Sequence, residues 1–115
     1  MAKPEHLDVL RKGITLWNEW RSHQHGRPLL REAKLTRADL SHGDFKGADL
    51  RGANLCRANL EHADFSHANL SDADLRGAKL MEAKLFSARL ENANLENADL
   101  LRAFLFLGQL QGANL

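Results

Sequence analysis

His42, His62 and Glu82 stand twenty residues apart along this chain, and His67 follows His62 by five. Neutral imidazoles and a carboxylate form a donor set that Zn²⁺ accepts, so these residues are the first place to look for a metal centre. Asp and Glu are plentiful, but their positions follow a repeat. Lys79, Lys84 and Arg89 place three cations at five-residue steps, and Cys56 is the one thiol. No glycine-rich phosphate loop, serine-centred elbow or metal motif of ordinary spacing accompanies them. Any chemistry therefore depends on a fold that gathers scattered groups.

Bulk properties narrow the setting. A length of 115 residues suits one domain. Sixteen Lys and Arg against fifteen Asp and Glu leave the chain near neutral, which argues against a nucleic-acid binder. A single cysteine excludes an intrachain disulfide framework and fits a reducing compartment. The amino terminus lacks the apolar run of a signal peptide, and no stretch approaches the ~18 apolar residues of a membrane span. The expectation is a soluble, cytoplasmic protein with no membrane partner.

What positions the residues is a repeat. Leu or Phe falls at every fifth position from Leu35 to Leu115, in 17 units, with Phe only at Phe45 and Phe65. Two residues before each stands Ala, or Gly at Gly43 and Gly108. Between them sits mostly Asp or Asn, as at Asp39, Asp44, Asp49, Asn54, Asn59, Asp64, Asn69 and Asp74. The unit reads x-x-Ala-(Asp/Asn)-Leu from Arg31 onward. A helix turns ~140° in five residues, so the leucines would scatter around its surface. A straight strand would send successive leucines to opposite faces. If the chain turns a corner after each unit, every Ala and Leu can point inward, and stacked turns bury a continuous core.

These units resemble the pentapeptide-repeat family across Arg31–Leu115, and the degenerate unit Gly26–Leu30 extends the match. The resemblance implies an all-β solenoid: a right-handed, quadrilateral β-helix of about four coils, with four units per coil. Residues twenty apart then stack, and the rod is roughly 20 Å long at ~4.8 Å per coil. Phe45, Leu50, Leu55, Leu60, Phe65 and Leu70 become a core ladder. Phe45 and Phe65 share one inner face, where Gly43 leaves room for a ring. The Asp or Asn before Leu is a structural position in the family, so paired carboxylates need no catalytic explanation.

Residues 1–25 follow another rule. Leu7, Leu10, Ile14 and Trp17 are spaced three, four and three apart, with Val9, Gly13, Leu16 and Trp20 beside them. Asp8, Arg11, Lys12, Thr15, Asn18 and Glu19 take the other half of the cylinder. This pattern predicts one amphipathic helix over 5–22, opened by Pro4 and ended before Gly26 and Pro28. Leu7, Leu10, Ile14, Trp17 and Trp20 would lie across the first coil as a cap, because open solenoid edges invite aggregation. A membrane-surface or partner-binding helix is the sharper alternative, but its polar face carries both signs of charge. The domain division is a cap and linker over 1–25 and a β-helix over 26–115.

At the other end the outward positions turn apolar. Met81 and Leu101 should stack, as should Phe86 and Phe106, with Leu107 beside them and Phe104 in place of Asp or Asn. Such a patch marks an interface. Self-association as a homodimer through the last coil is the leading reading. The alternatives are another protein partner, a chain cut short, or terminal residues folded back over the patch.

The coil also recasts the chemistry. His42, His62 and Glu82 form a linear outward ladder, whose steps do not obviously converge on one ion. They read as solvated surface residues, and Cys56 as an ordinary exposed thiol. Lys84 should stack beside Asp64 and Lys79 beside Asp99, for charge balance more than as a basic belt. No metal, cofactor or small-molecule substrate is evident, and an enzyme is not expected. The function implied is a non-enzymatic structural or protein-interaction module. Some family members resemble duplex DNA and bind type II topoisomerases; that DNA-mimic alternative needs an acidic surface, whereas these repeats hold 11 basic and 12 acidic residues. A regulatory or targeting domain acting beside another protein is a third reading.

Overall fold

Each unit runs straight for three residues and turns a corner with two, in a computed structural model that describes residues 1–23 and 26–115. The corner is closed locally: the Ala N–H donates to the Leu C=O three residues earlier, as from Ala33 to Leu30 at 3.1 Å. The second corner residue has a positive φ in every unit from Arg31 onward, near 60° at Glu32, His42, His62 and Asn92. A positive φ at the third residue of a four-residue turn is the type II pattern. Glycine supplies it freely at Gly47, while most other corners hold it with ordinary side chains, none of them β-branched.

Four corners close one coil. Parallel bridges join residues twenty apart, from Leu29 with Asp49 through Asn94 with Asn114. The middle residue of each straight run anchors the stack: the Asn54 N–H donates to the Ala33 C=O at 2.9 Å, and the Asn54 C=O accepts the Leu35 N–H at 2.8 Å. A corner amide adds a third bond, from Glu32 to the Arg51 C=O at 2.9 Å. The all-β expectation needs correcting in one respect. These are single-residue bridges rather than strands of a sheet, because two residues in five turn and no straight run reaches ordinary strand length.

The inward ladders are buried as the five-residue pattern requires. Leu50, Leu55, Leu60 and Leu70 are enclosed, as are the alanines from Ala48 to Ala93. Phe45 and Phe65 stack inside with ring centroids 5.2 Å apart and planes 10° from parallel. A Cβ on Gly43 would collide with the Phe45 ring and the Ile14 methyl, so the missing side chain makes the expected room. The degenerate unit joins the solenoid: Leu30 is buried and Leu29 carries the first bridge.

The amino-terminal segment departs from the single predicted helix. It forms two, α1 (Pro4–Arg11) and α2 (Ile14–Ser22). Gly13 separates them with φ +113°, a value outside the helical region that residues with a Cβ rarely reach. The break lets each helix present its own face to the first coil. α1 buries Leu10 and His6, and α2 buries Trp17. Leu7, Val9, Ile14 and Trp20 pack half-buried against the core, whereas Leu16 is exposed. The domain boundary expected at residue 25 lies outside the described residues.

Candidate functional site

The outer surface is built from three positions per unit: two corner residues and the middle residue of the straight run. At ten of these middle positions Asp or Asn is not free for other chemistry. Its Oδ1 accepts the N–H of the residue two further on, as from Asp64 to Ser66 at 2.9 Å and from Asn69 to Ser71 at 3.0 Å. This short loop satisfies a corner amide that the coil ladder leaves over. Lys79, Lys84, Arg89 and Phe104 cannot accept that bond. Their units leave the amides of Met81, Phe86, Glu91 and Phe106 without it, as Lys34 does for Thr36 in the first coil.

Phe86 and Phe106 stack at 5.6 Å, and His67 meets the Phe86 ring edge-on at 5.6 Å. Phe106 is 68% exposed, Leu107 61%, Leu101 60%, Phe104 59% and Phe86 38%. Met81 is half-buried, less open than its outward position suggested. Phe104 bridges Lys84 on the face between the Leu101 and Phe106 corners. The six residues therefore occupy one face and its two flanking corners. In the last coil the inward Leu100, Leu105 and Leu110 are only partly buried, and Leu115 is exposed.

A family model for pentapeptide repeats matches eight copies over residues 29–52, 44–80 and 78–115. The chain belongs to the pentapeptide-repeat family. Among solved structures it is similar to HetL, a pentapeptide-repeat protein involved in heterocyst differentiation regulation from the cyanobacterium Nostoc sp. strain PCC 7120. That match has 44% identity and a TM-score of 0.73, covering 73% of this chain and 39% of HetL. A pentapeptide-repeat protein of the Arabidopsis thaliana thylakoid lumen is 34% identical with a TM-score of 0.59, covering 72% of this chain and 55% of its own. QnrB1, a plasmid-mediated fluoroquinolone resistance protein, shares the fold at 22% identity and a TM-score of 0.61, covering 70% of this chain and 55% of its own. The chain thus spans between 39% and 55% of these relatives. No match was found among curated proteins.

On this pentapeptide-repeat scaffold the histidine column is ordered but linear. His42 and His62 stack at 4.8 Å with planes 5° apart, His62 Nδ1 lies 3.2 Å from Glu82 Oε2, and Arg102 Nη1 lies 3.6 Å from Glu82 Oε1. His67 turns away to Phe86, and no group of three or more ligating side chains converges among the described residues. Cys56 is a free, half-buried thiol rather than a fully exposed one.

Charge balance takes a different route from the one expected. Asp64 does bridge Lys84, and Lys79 bridges Asp99. Yet the ion pairs among the described residues lie mainly within a chain segment, two residues apart. The Arg51 guanidinium donates twice to Asp49, from Nε at 2.8 Å and Nη2 at 2.7 Å, and Arg76 does the same to Asp74 at 2.9 and 2.7 Å. Arginine's planar fork fits a carboxylate just across a corner. These guanidinium hydrogen bonds hold the Asp49 and Asp74 carboxyls below the usual aspartate range. Glu91 is lowered in the same way by Arg89.

Asn18, Arg21 and His6, helix residues that the sequence pattern does not single out, join the expected Trp17 against the coil. Asn18 Oδ1 accepts the Asp44 N–H at 2.8 Å, and its Nδ2 donates to the His42 C=O at 3.0 Å. Trp17 Nε1 donates to the Asp44 C=O at 2.8 Å, while its ring stacks on Phe45 at 5.5 Å. Arg21 reaches the Gly26 and Lys46 carbonyls, each at 3.0 Å. His6 Nδ1 accepts the Leu29 N–H at 2.8 Å. Amphipathic periodicity sorts residues by polarity, so it placed Asn18 on the solvent half. The available signal was that a helix laid on an open coil edge needs hydrogen-bonding groups on its buried side.

Proposed function

We propose that this chain is a non-enzymatic protein-interaction module whose working surface is the outer side of its last coils, and that the occupant of that surface is a second copy of the chain. The observation that carries this reading is the cluster Phe86, Leu101, Phe104, Phe106 and Leu107. Each is exposed, and each stands where the repeat elsewhere places mostly polar residues. None of the five contributes to the inner ladders, so their apolar character has no role in core packing. An aromatic pair flanked by aliphatic corners supplies the apolar centre of an interface. Isologous pairing would cover one such patch with another. Static light scattering tests it: a dimer is expected for the wild type and a monomer for Phe106→Asp. A wild type that stays monomeric at high concentration overturns the reading.

The same proposal gives α1 and α2 the role of a cap. Their support is hydrogen bonding as well as apolar cover, since Asn18 and Trp17 occupy the Asp44 N–H and C=O, groups that the ladder elsewhere pairs with a preceding coil. The right-handed, four-sided winding of the family is adopted for this chain, supported by its twenty-residue coil. A cytoplasmic location is proposed on the free thiol and awaits imaging of a tagged chain. Topoisomerase binding by DNA mimicry is set aside: Lys79 and Lys84 interrupt the acidic columns, and Arg51 and Arg76 neutralise Asp49 and Asp74. A gyrase supercoiling assay is expected to show no effect.

A further inference from the structure

We infer that His6 is a pH-sensitive latch, its neutral imidazole fastening α1 to the open edge of the first coil and its protonation releasing that edge. Among the described residues Leu29 is the first to bridge, and α1 rather than a coil lies against its outer side. Two groups take that place. The Lys3 N–H donates to the Leu29 C=O at 2.9 Å, and His6 Nδ1 accepts the Leu29 N–H at 2.8 Å. One coil later the Pro28 C=O does for the Asp49 N–H, at 2.8 Å, what His6 does for Leu29. The difference is that a carbonyl always accepts, whereas an imidazole accepts only while Nδ1 keeps its lone pair. Protonation turns Nδ1 into a donor facing another donor, and both are then unsatisfied in a part-buried place.

The surroundings favour the neutral form. His6 is buried, lies edge-on to Trp20 at 4.9 Å, and faces Lys3 and Glu5 on its own side and Arg21 from α2. From the first coil it meets the Leu29 peptide. Burial is the main cause that lowers its pKa; Lys3 and Arg21 add to this and Glu5 opposes it. A histidine with a lowered folded pKa contributes stability that is complete above its unfolded value of about 6.5 and is lost as pH falls through the folded value.

Amide exchange of the full chain between pH ~7.5 and ~5 tests the latch in the range where histidine titrates. The protection of the Leu29 amide, corrected for intrinsic exchange, is expected to fall in step with His6 protonation, by about tenfold for each unit of pKa depression. The Leu60 amide in the middle coils should hold its protection. In His6→Asn the side-chain oxygen replaces the Nδ1 acceptor without a titrating proton, and the pH dependence at Leu29 should vanish. Should that variant undock at every pH, the wild-type data decide alone. Leu29 protection that survives His6 protonation, the same loss persisting in a docked His6→Asn, or simultaneous loss at Leu60, would overturn the inference.

Discussion

Asn69 shows what the Asp or Asn of each unit is for: its Oδ1 holds the Ser71 amide at the corner, at 3.0 Å. Asn69→Ala should cost about 0.5–1.5 kcal/mol in denaturant unfolding, the net worth of one such bond. Lys79→Asn supplies the missing acceptor for the Met81 amide and should raise stability by a similar amount. The corner's second residue carries the complementary constraint. At Gly47, φ is +68° and a Cβ would point into open space, so Gly47→Val isolates backbone strain and should cost about 1–2 kcal/mol. Gly47→Asn should cost less, since Asn tolerates that region. On the inner side, Ala58 is fully buried, and Ala58→Leu should overpack the core by at least ~1–3 kcal/mol. The paired carboxylates predict a pH dependence. Asp49 and Asp74 have lowered pKa values, so the unfolded chain takes up their protons first as pH falls. Their contribution is complete above the unfolded value near ~4 and lost as pH falls through the folded one. Unfolding midpoints followed from pH ~5 to ~3 should drop less steeply in Arg51→Gln/Arg76→Gln than in the wild type.

At the scale of elements, the coil and the helix pair meet through two kinds of contact. Trp17 is fully buried and stacked on Phe45, extending the inner Phe45–Phe65 column into α2. Trp17→Ala should cost about 3–5 kcal/mol, the range for large aromatic truncations in cores. Asn18→Ala leaves the Asp44 N–H and His42 C=O of the coil edge unpaired, and its cost should exceed that of an exposed polar truncation. Removing residues 1–25 exposes that edge together with Phe45, and size-exclusion chromatography should show aggregation. A soluble, folded truncation would remove the cap role. The helix pair was half legible in the sequence. Leu10 and Trp17 could be placed inside from the three-and-four spacing, but the break at Gly13 could not. A glycine within an amphipathic stretch is compatible with an unbroken helix until the coil edge demands two separate faces.

For the whole molecule, the exposed phenylalanines gather toward one end of the stack, while ion pairs run along it to Arg89–Glu91 and Arg102–Glu82. The early coils carry arginine and aspartate pairs on their outside, and the late ones carry Phe86, Leu101, Phe104, Phe106 and Leu107. Phe104→Asp combined with Phe106→Asp should abolish the proposed self-association while leaving the melting of the monomer nearly unchanged, because neither side chain serves the core ladders. A large fall in monomer stability would instead assign these rings a structural part.

The five-residue spacing by itself determined that the chain coils with inner Ala and Leu ladders; four units per coil, and with it the stacking of Phe45 on Phe65, came from the family resemblance. The ladders follow from one local rule applied repeatedly: residues that share a side within a unit must share the interior once each unit turns a corner. Given the four-unit coil that the resemblance implied, register carries the rule across coils, and Lys84 falls beside Asp64. Only the tertiary structure decided that Arg51 and Arg76 reach back to Asp49 and Asp74 across a corner, and that His6 and Asn18 bond the edge of the first coil. Side-chain reach and the unpaired groups of an edge depend on where two non-repeating segments dock. No periodicity encodes that meeting.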